Sequence, residues 1–415
     1  MMRRNMNKNE NDSVFATNLN SESFFKYPGM LFEKKTGNEK DAFLKNGRQI
    51  TNEHGDEADI NTFKDMILNV VKLYLARNYT QIVFIAGAGA SITGYQDDRS
   101  VGKSMKDLKA SIKDRLENQK FLSLDTMASL CKYEYTNPDE NQFDLEDFIS
   151  KAESAQPFIG RSKNKYLKTL DQIYKVIEEE TSYSYDERLL FHNRVINMLA
   201  NKVVAPNKLT VVTTNYDTLF EDAAEKLGYS VIDGFSHDLN PFFDADNFEW
   251  NLVRDIPNLT TDELVYKKQV INLIKLHGSL TWTKPINGRI YRRNKQDKIN
   301  QPNLIFPSSN KYMQSYTEPF FDLFSKFQEL INRPNTLLIT NGFSFGDNHI
   351  SQMVHHAVSH NEGLSVLVTD FNISNQISNG WKELENLMNA GYSVAFLKAT
   401  INELPFYLGG DLNEH

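Results

Sequence analysis

A chain of 415 residues, 40% of them hydrophobic, is long enough to bury a large core, either as one α/β domain with an insertion or as two domains. A net charge of −8 with no long basic stretch leaves direct nucleic-acid binding unsupported, and a single cysteine, Cys131, excludes both an internal disulfide and a four-cysteine zinc site. No apolar run reaches the roughly 18 residues of a membrane span, and no apolar segment follows Arg3, Arg4 and Lys8 as it would in a signal peptide, so a cytoplasmic address is expected.

Residues 1–59 are rich in Asn, Asp, Glu, Lys and Gly, which predicts a mobile, flexible N-terminal arm. Its aromatic knots, Phe24-Phe25-Lys26-Tyr27 and Leu31-Phe32, should dock either on the arm's own domain or on a neighbouring subunit. From Ile60 onward, Phe63, Ile67, Val70, Val71 and Tyr74 recur at spacings of three and four, one face of a helix. Residues 81–85 then form a short apolar run that empties into Gly87-Ala88-Gly89-Ala90-Ser91. This is the pattern of a buried parallel strand opening a nucleotide-binding sheet, because glycine lets backbone N–H groups approach a phosphate. Two standard motifs do not fit. The dinucleotide fingerprint needs glycine at position 92, which is Ile92, and a phosphate loop ending in Gly102-Lys103-Ser104 would put its first glycine on Asp97 with no strand before it. The polar loop at residues 97–104 is either a cover for a ligand or plain surface.

Residues 106–201 read as a helical insertion, broken at Asn137-Pro138 and near Gln156-Pro157. Within it, Asp144, Glu146 and Asp147 alternate with Phe143, Leu145, Phe148 and Ile149, the wet edge of a helix rather than an acid/base pair. His192 lies at helical spacing with Leu189, Ile196 and Leu199 and reads as a buried structural residue. The strand at residues 209–214 delivers Asn215-Tyr216-Asp217, followed by a helix with Thr218 and Glu221 spaced as a capping box and Gly228 as a stop. The strand at residues 270–276 delivers His277-Gly278-Ser279. Glu318 and Pro319 start a helix whose core stripe is Phe320, Leu323, Phe324, Phe327 and Leu330.

A further strand at residues 336–340 ends in a second glycine turn, Asn341 to Asp347, with Asp347 placed as a helix cap. In the helix that follows, His356 and His360 at i, i+4 could serve as a metal pair, but no third ligand accompanies them and no metal is expected. The strand at residues 365–369 ends in Asp370, where an acid can take ribose hydroxyls. A helix face of Ile377, Trp381, Leu384 and Leu387 and a last strand at residues 393–399 complete an α/β chain.

Open α/β sheets bind ligands outside the carboxyl ends of their strands, where four loops converge: GAGAS at 87–91, TTNYD at 213–217, LHGS at 276–279 and GFSFGD at 342–347. In order, spacing and position these loops resemble the sirtuin-like NADase family of bacterial anti-phage defence, related to the sirtuin deacylases. The resemblance covers residues 60–400 and implies a Rossmann-like parallel sheet with a helical insertion and NAD+ held across the strand ends. It implies that Gly87, Ala88, Gly89 and Ser91 cradle phosphates and ribose. Asn215 and His277 would be the catalytic pair, around the nicotinamide ribose with Asp217, while Thr214 would be a further NAD+ contact, Gly342 and Ser344 would lie on the adenosine side, and Asp370 is a looser match.

The paired C-x-x-C motifs of the deacylases' zinc ribbon are absent, and their usual TQN is Thr213-Thr214-Asn215 here, departures that favour hydrolysis of NAD+ without zinc. Loss of nicotinamide leaves an oxocarbenium-like centre. Asn215 can orient a water or the ribose hydroxyls against it, and His277 can accept the proton, since imidazole titrates near cellular pH. Two other readings are a subunit that senses NAD+ or ADP-ribose without turnover and a zinc-free protein deacylase. Because an unregulated NAD+ hydrolase would drain its host, a homo-oligomer regulated by other subunits through the arm or the insertion is expected, and the resemblance alone suggests docking on a separately encoded ATPase of the HerA type.

Overall fold

The computed structural model describes residues 21–37, 40–52, 54–92, 102–134, 143, 145–255, 264–283, 288–295, 297, 302–304, 319–374, 376 and 378–409. Outside them lie residues 1–20, the loop at residues 97–100, Asn137-Pro138, Asp144, Glu318 and Ile377, as does the side chain of Glu146.

The centre of the chain is a parallel sheet of β5 (Gln81–Ala86), β6 (Leu209–Thr213), β7 (Ser230–Ile232), β10 (Val270–Lys275), β13 (Thr336–Asn341), β14 (Leu364–Asp370) and β15 (Val394–Lys398). Their spatial order is β15-β14-β13-β5-β6-β10-β7, and every neighbouring pair is parallel, whereas β8 (Val253–Asp255) with β9 (Leu264–Tyr266) and β11 (Gly278–Thr283) with β12 (Pro302–Leu304) form two separate antiparallel pairs. Strands buried on both faces need apolar residues at every position, so they read as unbroken runs such as IVFI and LLI rather than as an alternation. Along β5 the alternate residues serve different cores: Ile82 and Phe84 face one, Val83 and Ile85 the other. The first core is closed by α1 (Ile60–Leu75), α6 (His192–Ala200), α7 (Leu219–Lys226) and α11 (Leu404–Leu408). The second is closed by α8 (Phe320–Asn332), α9 (Asn348–His360) and α10 (Asn379–Asn389).

The N-terminal arm is corrected from Ser21 onward. β1 (Ser21–Tyr27) pairs antiparallel with β15, and β2 (Met30–Lys35), β3 (Ala42–Lys45) and β4 (Arg48–Gln49) follow as a meander that extends the same sheet. The polar composition reflects an edge with one wet face, which charged residues protect from further pairing. Of the two docking options the aromatic knots left open, the own domain holds. Phe24, Phe32 and Phe43 surround Phe63 of α1 with ring centroids 5.3, 5.9 and 4.8 Å away.

The insertion is a small helical subdomain of α2 (Met105–Asn118), α3 (Leu124–Leu130), α4 (Leu145–Ala155) and α5 (Lys163–Thr181) around its own core, including Ile112, Met127, Phe148, Tyr166 and Ile173. It ends earlier than residue 201, because the apolar face of α6 packs on the main sheet. There His192 is fully buried, its ring 4.8 Å from that of Phe220, and burial drives its pKa down to about 3, so it stays neutral.

Phe63 joins the N-terminal strands to α1, so Phe63→Ala should lower stability by about 3–5 kcal/mol in urea unfolding. A loss below about 1 kcal/mol would mean that the four strands pack loosely on the helix.

Candidate functional site

Strand register sets the site. Lys275, Thr213, Ala86, Asn341 and Thr369 form one continuous row across β10, β6, β5, β13 and β14. One to six residues beyond that row lie Ser91, Asn215, Asp217, His277, Asp347 and Asp370, all therefore on the carboxyl edge of the sheet. The chain places β6, β7 and β10 on one side of β5 and β13, β14 and β15 on the other. This reversal opens a crevice at the ends of β5 and β13, where open α/β sheets bind nucleotides.

The two glycine turns meet in that crevice. The Gly87 N–H donates to the Asn341 carbonyl and the Gly89 N–H to the Gly342 carbonyl, both at 3.0 Å. A Cβ on Gly87 would lie 2.5 Å from the Gly342 oxygen, and one on Gly342, whose φ is +59°, would lie 2.4 Å from the Ala90 nitrogen. The glycines thus serve first to let two backbones touch. Ala90 and Ser91 donate within their own turn, which leaves exposed Ala88 as the residue of that turn whose N–H has no partner among the described residues. Beyond Gly342, Ser344 is exposed and its carbonyl accepts from the Ser378 hydroxyl at 2.6 Å.

Asn215 is held at three points. Its backbone N–H donates to Thr213 Oγ1 at 3.0 Å, and Nδ2 donates to the Gly87 carbonyl at 2.9 Å and to Ser91 Oγ at 2.8 Å. A carbonyl can only accept, so the amide is oriented with Nδ2 inward, and Oδ1 accepts no hydrogen bond among the described residues. Ser91 Oγ in turn donates to Asp217 Oδ2 at 2.7 Å. Thr214, half-buried, continues the ladder by donating its N–H to the Ala86 carbonyl at 3.2 Å.

The capping box expected at α7 is replaced. Asp217 Oδ1 accepts from the Leu219 N–H at 3.1 Å, while Glu221 turns to Lys275, its Oε1 2.9 Å from the lysine Nζ. Lys275 is 1% exposed and also donates to the Asp217 carbonyl. Sequence reasoning passed over Lys275 because it stands in an apolar strand. The available signal was that a cation inside a buried strand requires a partner. Burial pushes the carboxyls of Asp217 and Glu221 above the usual range, against the downward pull of the Lys275 ammonium.

Across the crevice, His277 is buried with Nε2 3.1 Å from Asp347 Oδ2. The other carboxylate oxygen of Asp347 accepts from the N–H groups of His349 and Ile350 at 2.9 and 3.3 Å, the expected cap of α9. The cap thereby also fixes a histidine delivered by a different strand. A carboxylate so placed orients an imidazole and stabilises the imidazolium. Asp370 is buried at the end of β14, accepting from Asn372 N–H at 3.1 Å, and burial raises its pKa to about 6.

The rings of His356 and His360 stack 4.1 Å apart, and His360 Nδ1 bonds to the His356 carbonyl. Among the described residues no group of three or more His, Cys, Asp or Glu side chains is arranged to hold a metal. No helix among them is long and apolar enough to cross a membrane.

Residues 209–386 match the family model described as SIR2-like domain. The match supports a sirtuin-like family and NAD-dependent activity in general, and SIR2-like domains bind NAD+. It spans Asn215, His277, Gly342 and Asp370, whereas the turn at residues 87–91 precedes it and joins the site through the sheet. No curated protein matches the chain.

The Asp370 carboxyl gives a pH test. It titrates near 3.8 when unfolded and near 6 when folded, so the fold binds its proton more tightly and loses stability as pH rises from about 4 to 6. Asp370→Asn should therefore stabilise the protein above pH 6, by up to about 3 kcal/mol at roughly 1.4 kcal/mol per pH unit, with the gain vanishing near pH 4. Denaturant unfolding at several pH values reads this directly. A gain that does not change with pH would mean that the carboxyl is not strained by burial.

Proposed function

We propose that the chain is an NAD+ glycohydrolase: water adds at C1′ of the nicotinamide ribose, the C1′–N bond breaks, and the products are nicotinamide, ADP-ribose and a proton. The observation that carries this reading is the oriented Asn215 carboxamide, whose Oδ1 accepts no hydrogen bond among the described residues, on the same sheet edge as the His277–Asp347 pair. An acceptor oxygen can hold a ribose hydroxyl or the attacking water and favours the positive charge that develops at C1′. His277 takes the proton as the water adds, and Asp347 stabilises the cation so formed.

The remaining assignments belong to the same proposal. In this reading Gly87, Ala88, Gly89, Ser91 and Thr214 would border the phosphates and nearer ribose, with the Ala88 N–H rather than those of Gly87 and Gly89 turned to a phosphate, and Gly342, Ser344 and Asp370 would border the adenosine end. Asp217 acts behind Ser91. No step calls for zinc.

We extend the proposal to a cytoplasmic role in antiviral defence, in which activation depletes NAD+. An unregulated NAD+ hydrolase would drain its host, so a homo-oligomer, docked on a HerA-type ATPase, is the form in which activity would be held back. The ATPase pairing rests on the resemblance alone. Exposed Phe158 and Leu73 are apolar groups that an interface could cover. Light scattering of the purified chain checks assembly, and a fully active monomer would remove this part.

Nicotinamide release by the purified protein is the deciding measurement. Asn215→Ala should lower kcat by about 10²–10³ with folding intact, and His277→Ala by about 10²–10⁴. NAD+ binding without release would replace hydrolysis by a sensing role, and turnover only with an acylated peptide would make the protein a deacylase. Near-native turnover in Asn215→Ala would remove that residue from the mechanism.

A further inference from the structure

Beneath the Asn215 loop lies a group of charges larger than capping a helix requires. Lys275 Nζ donates to Glu221 Oε1 and to the carbonyls of Asp217 and Tyr216, the last at 3.5 Å. The segment that carries Asn215 is therefore gripped from below through the backbone of its next two residues. A buried lysine whose partner is lost leaves an uncompensated charge, so these contacts are obligatory to one another.

The hydrogen bonds converge on Asp217, its backbone carbonyl taking Lys275 from below and its carboxylate taking Ser91 from above. Ser91 has one hydroxyl proton and gives it to Asp217 Oδ2, which leaves the serine oxygen able to accept from Asn215 Nδ2. A carboxylate must accept, whereas a carboxylic acid can donate. A protonated Asp217 would compete for the serine lone pair and free the serine proton to turn elsewhere. The groups that set the charge on Asp217 are Lys275 on β10, Glu221 and Asp222 on α7, Tyr183 beyond α5, and Ser91 in the first turn. Lys275 is the cation among them, and Asp222 is itself paired with Lys295 at 2.5 Å.

We propose that Lys275 is a positioning residue for the reaction: it holds Asp217 as an acceptor and, through Ser91, sets the Asn215 carboxamide with its oxygen toward the substrate. The residue never touches NAD+, and its effect reaches C1′ only through Asp217, Ser91 and Asn215. This inference deepens the hydrolase reading and rests on it for its kinetic part.

The test uses the full chain carrying Lys275→Met, an apolar replacement of similar length, with NAD+ as substrate and carbon-13 in the aspartate carboxyls. At neutral pH, kcat should fall about tenfold or more while KM stays within about threefold, the signature of lost transition-state alignment rather than lost binding. The acid limb of the kcat profile should move toward neutral by about one pH unit or more. The Asp217 resonance, identified by its absence in Asp217→Asn, should titrate higher in parallel. Glu221→Gln leaves Lys275 to Asp217 and should keep that resonance at or below its native titration.

A folded Lys275→Met protein whose acid limb and Asp217 titration are both native would overturn the proposal, even if kcat had dropped, because Lys275 would then be merely structural. Should Lys275→Met fail to fold, Lys275→Met/Glu221→Gln removes one charge of each sign and is judged by the same two outcomes. Absence of nicotinamide release by the native chain would sink the hydrolase reading alone, and the carboxyl titration would still decide whether Lys275 governs Asp217.

Discussion

The contact on which the site depends is the meeting of two backbone turns, residues 87–91 and residues 341–347, with no side chain between them. Gly342 at φ +59° and the bonds from Gly87 and Gly89 draw the ends of β5 and β13 together where the strand order reverses. Asn215 then has a fixed anchor, because the carbonyl that accepts from its amide belongs to Gly87. If the turns moved apart by the width of a methyl group, the amide would lose that anchor, and the crevice floor would change with it. The parallel register brings the other groups to the same level, so the geometry of the edge is inherited from the sheet rather than from long flexible loops.

The edge also concentrates buried charge that the fold alone does not require. Lys275, Glu221 and Asp217 form one group on one side of the crevice, a single ammonium among two carboxyls, while Asp370 on the other has, among the described residues, only backbone and amide donors against it. An ion pair taken out of water contributes little net stability, and a lone buried carboxylate costs stability outright. Such groups persist where they position or recognise something, and this edge gathers several of them.

Much of this was legible in the sequence. Unbroken apolar runs announced the parallel strands, glycine and asparagine at their ends announced the turns, and Asp347 read correctly as a cap. What stayed hidden depends on tertiary partners. Composition cast residues 21–49 as a flexible arm, since half-wet edge strands share the polar residues of disordered chain and only the pairing of Phe25 with Leu397 separates the two. The glycines of the first turn read as a phosphate cradle, whereas the N–H groups of Gly87 and Gly89 point to the second turn, a fact that no local pattern carries. Thr218 and Glu221 had capping-box spacing, yet Glu221 answers to Lys275, 54 residues away in the chain. Spacing shows what a side chain can reach locally, but a buried cation elsewhere can outbid the local partner.

The helical subdomain is tied to this edge as well, although its core is separate. Tyr216, between Asn215 and Asp217, packs against the subdomain's apolar cluster. On the return from the loop after β5, Gly102 comes so close to Ser91 that a Cβ there would lie 2.2 Å from the serine carbonyl oxygen. The next residue, Lys103, gives its N–H to the Tyr183 hydroxyl at 3.0 Å, while Lys295 joins Asp222 of α7 to the carbonyl of Tyr183. These contacts reach Ser91 itself, Tyr216 between Asn215 and Asp217, and Asp222 in the helix that Asp217 begins. Displacing the subdomain therefore acts on Ser91 and on the residues flanking Asn215 and Asp217, while the strands below, buried on both faces, resist following. Strain of that kind has to be absorbed in the turns, where the site is.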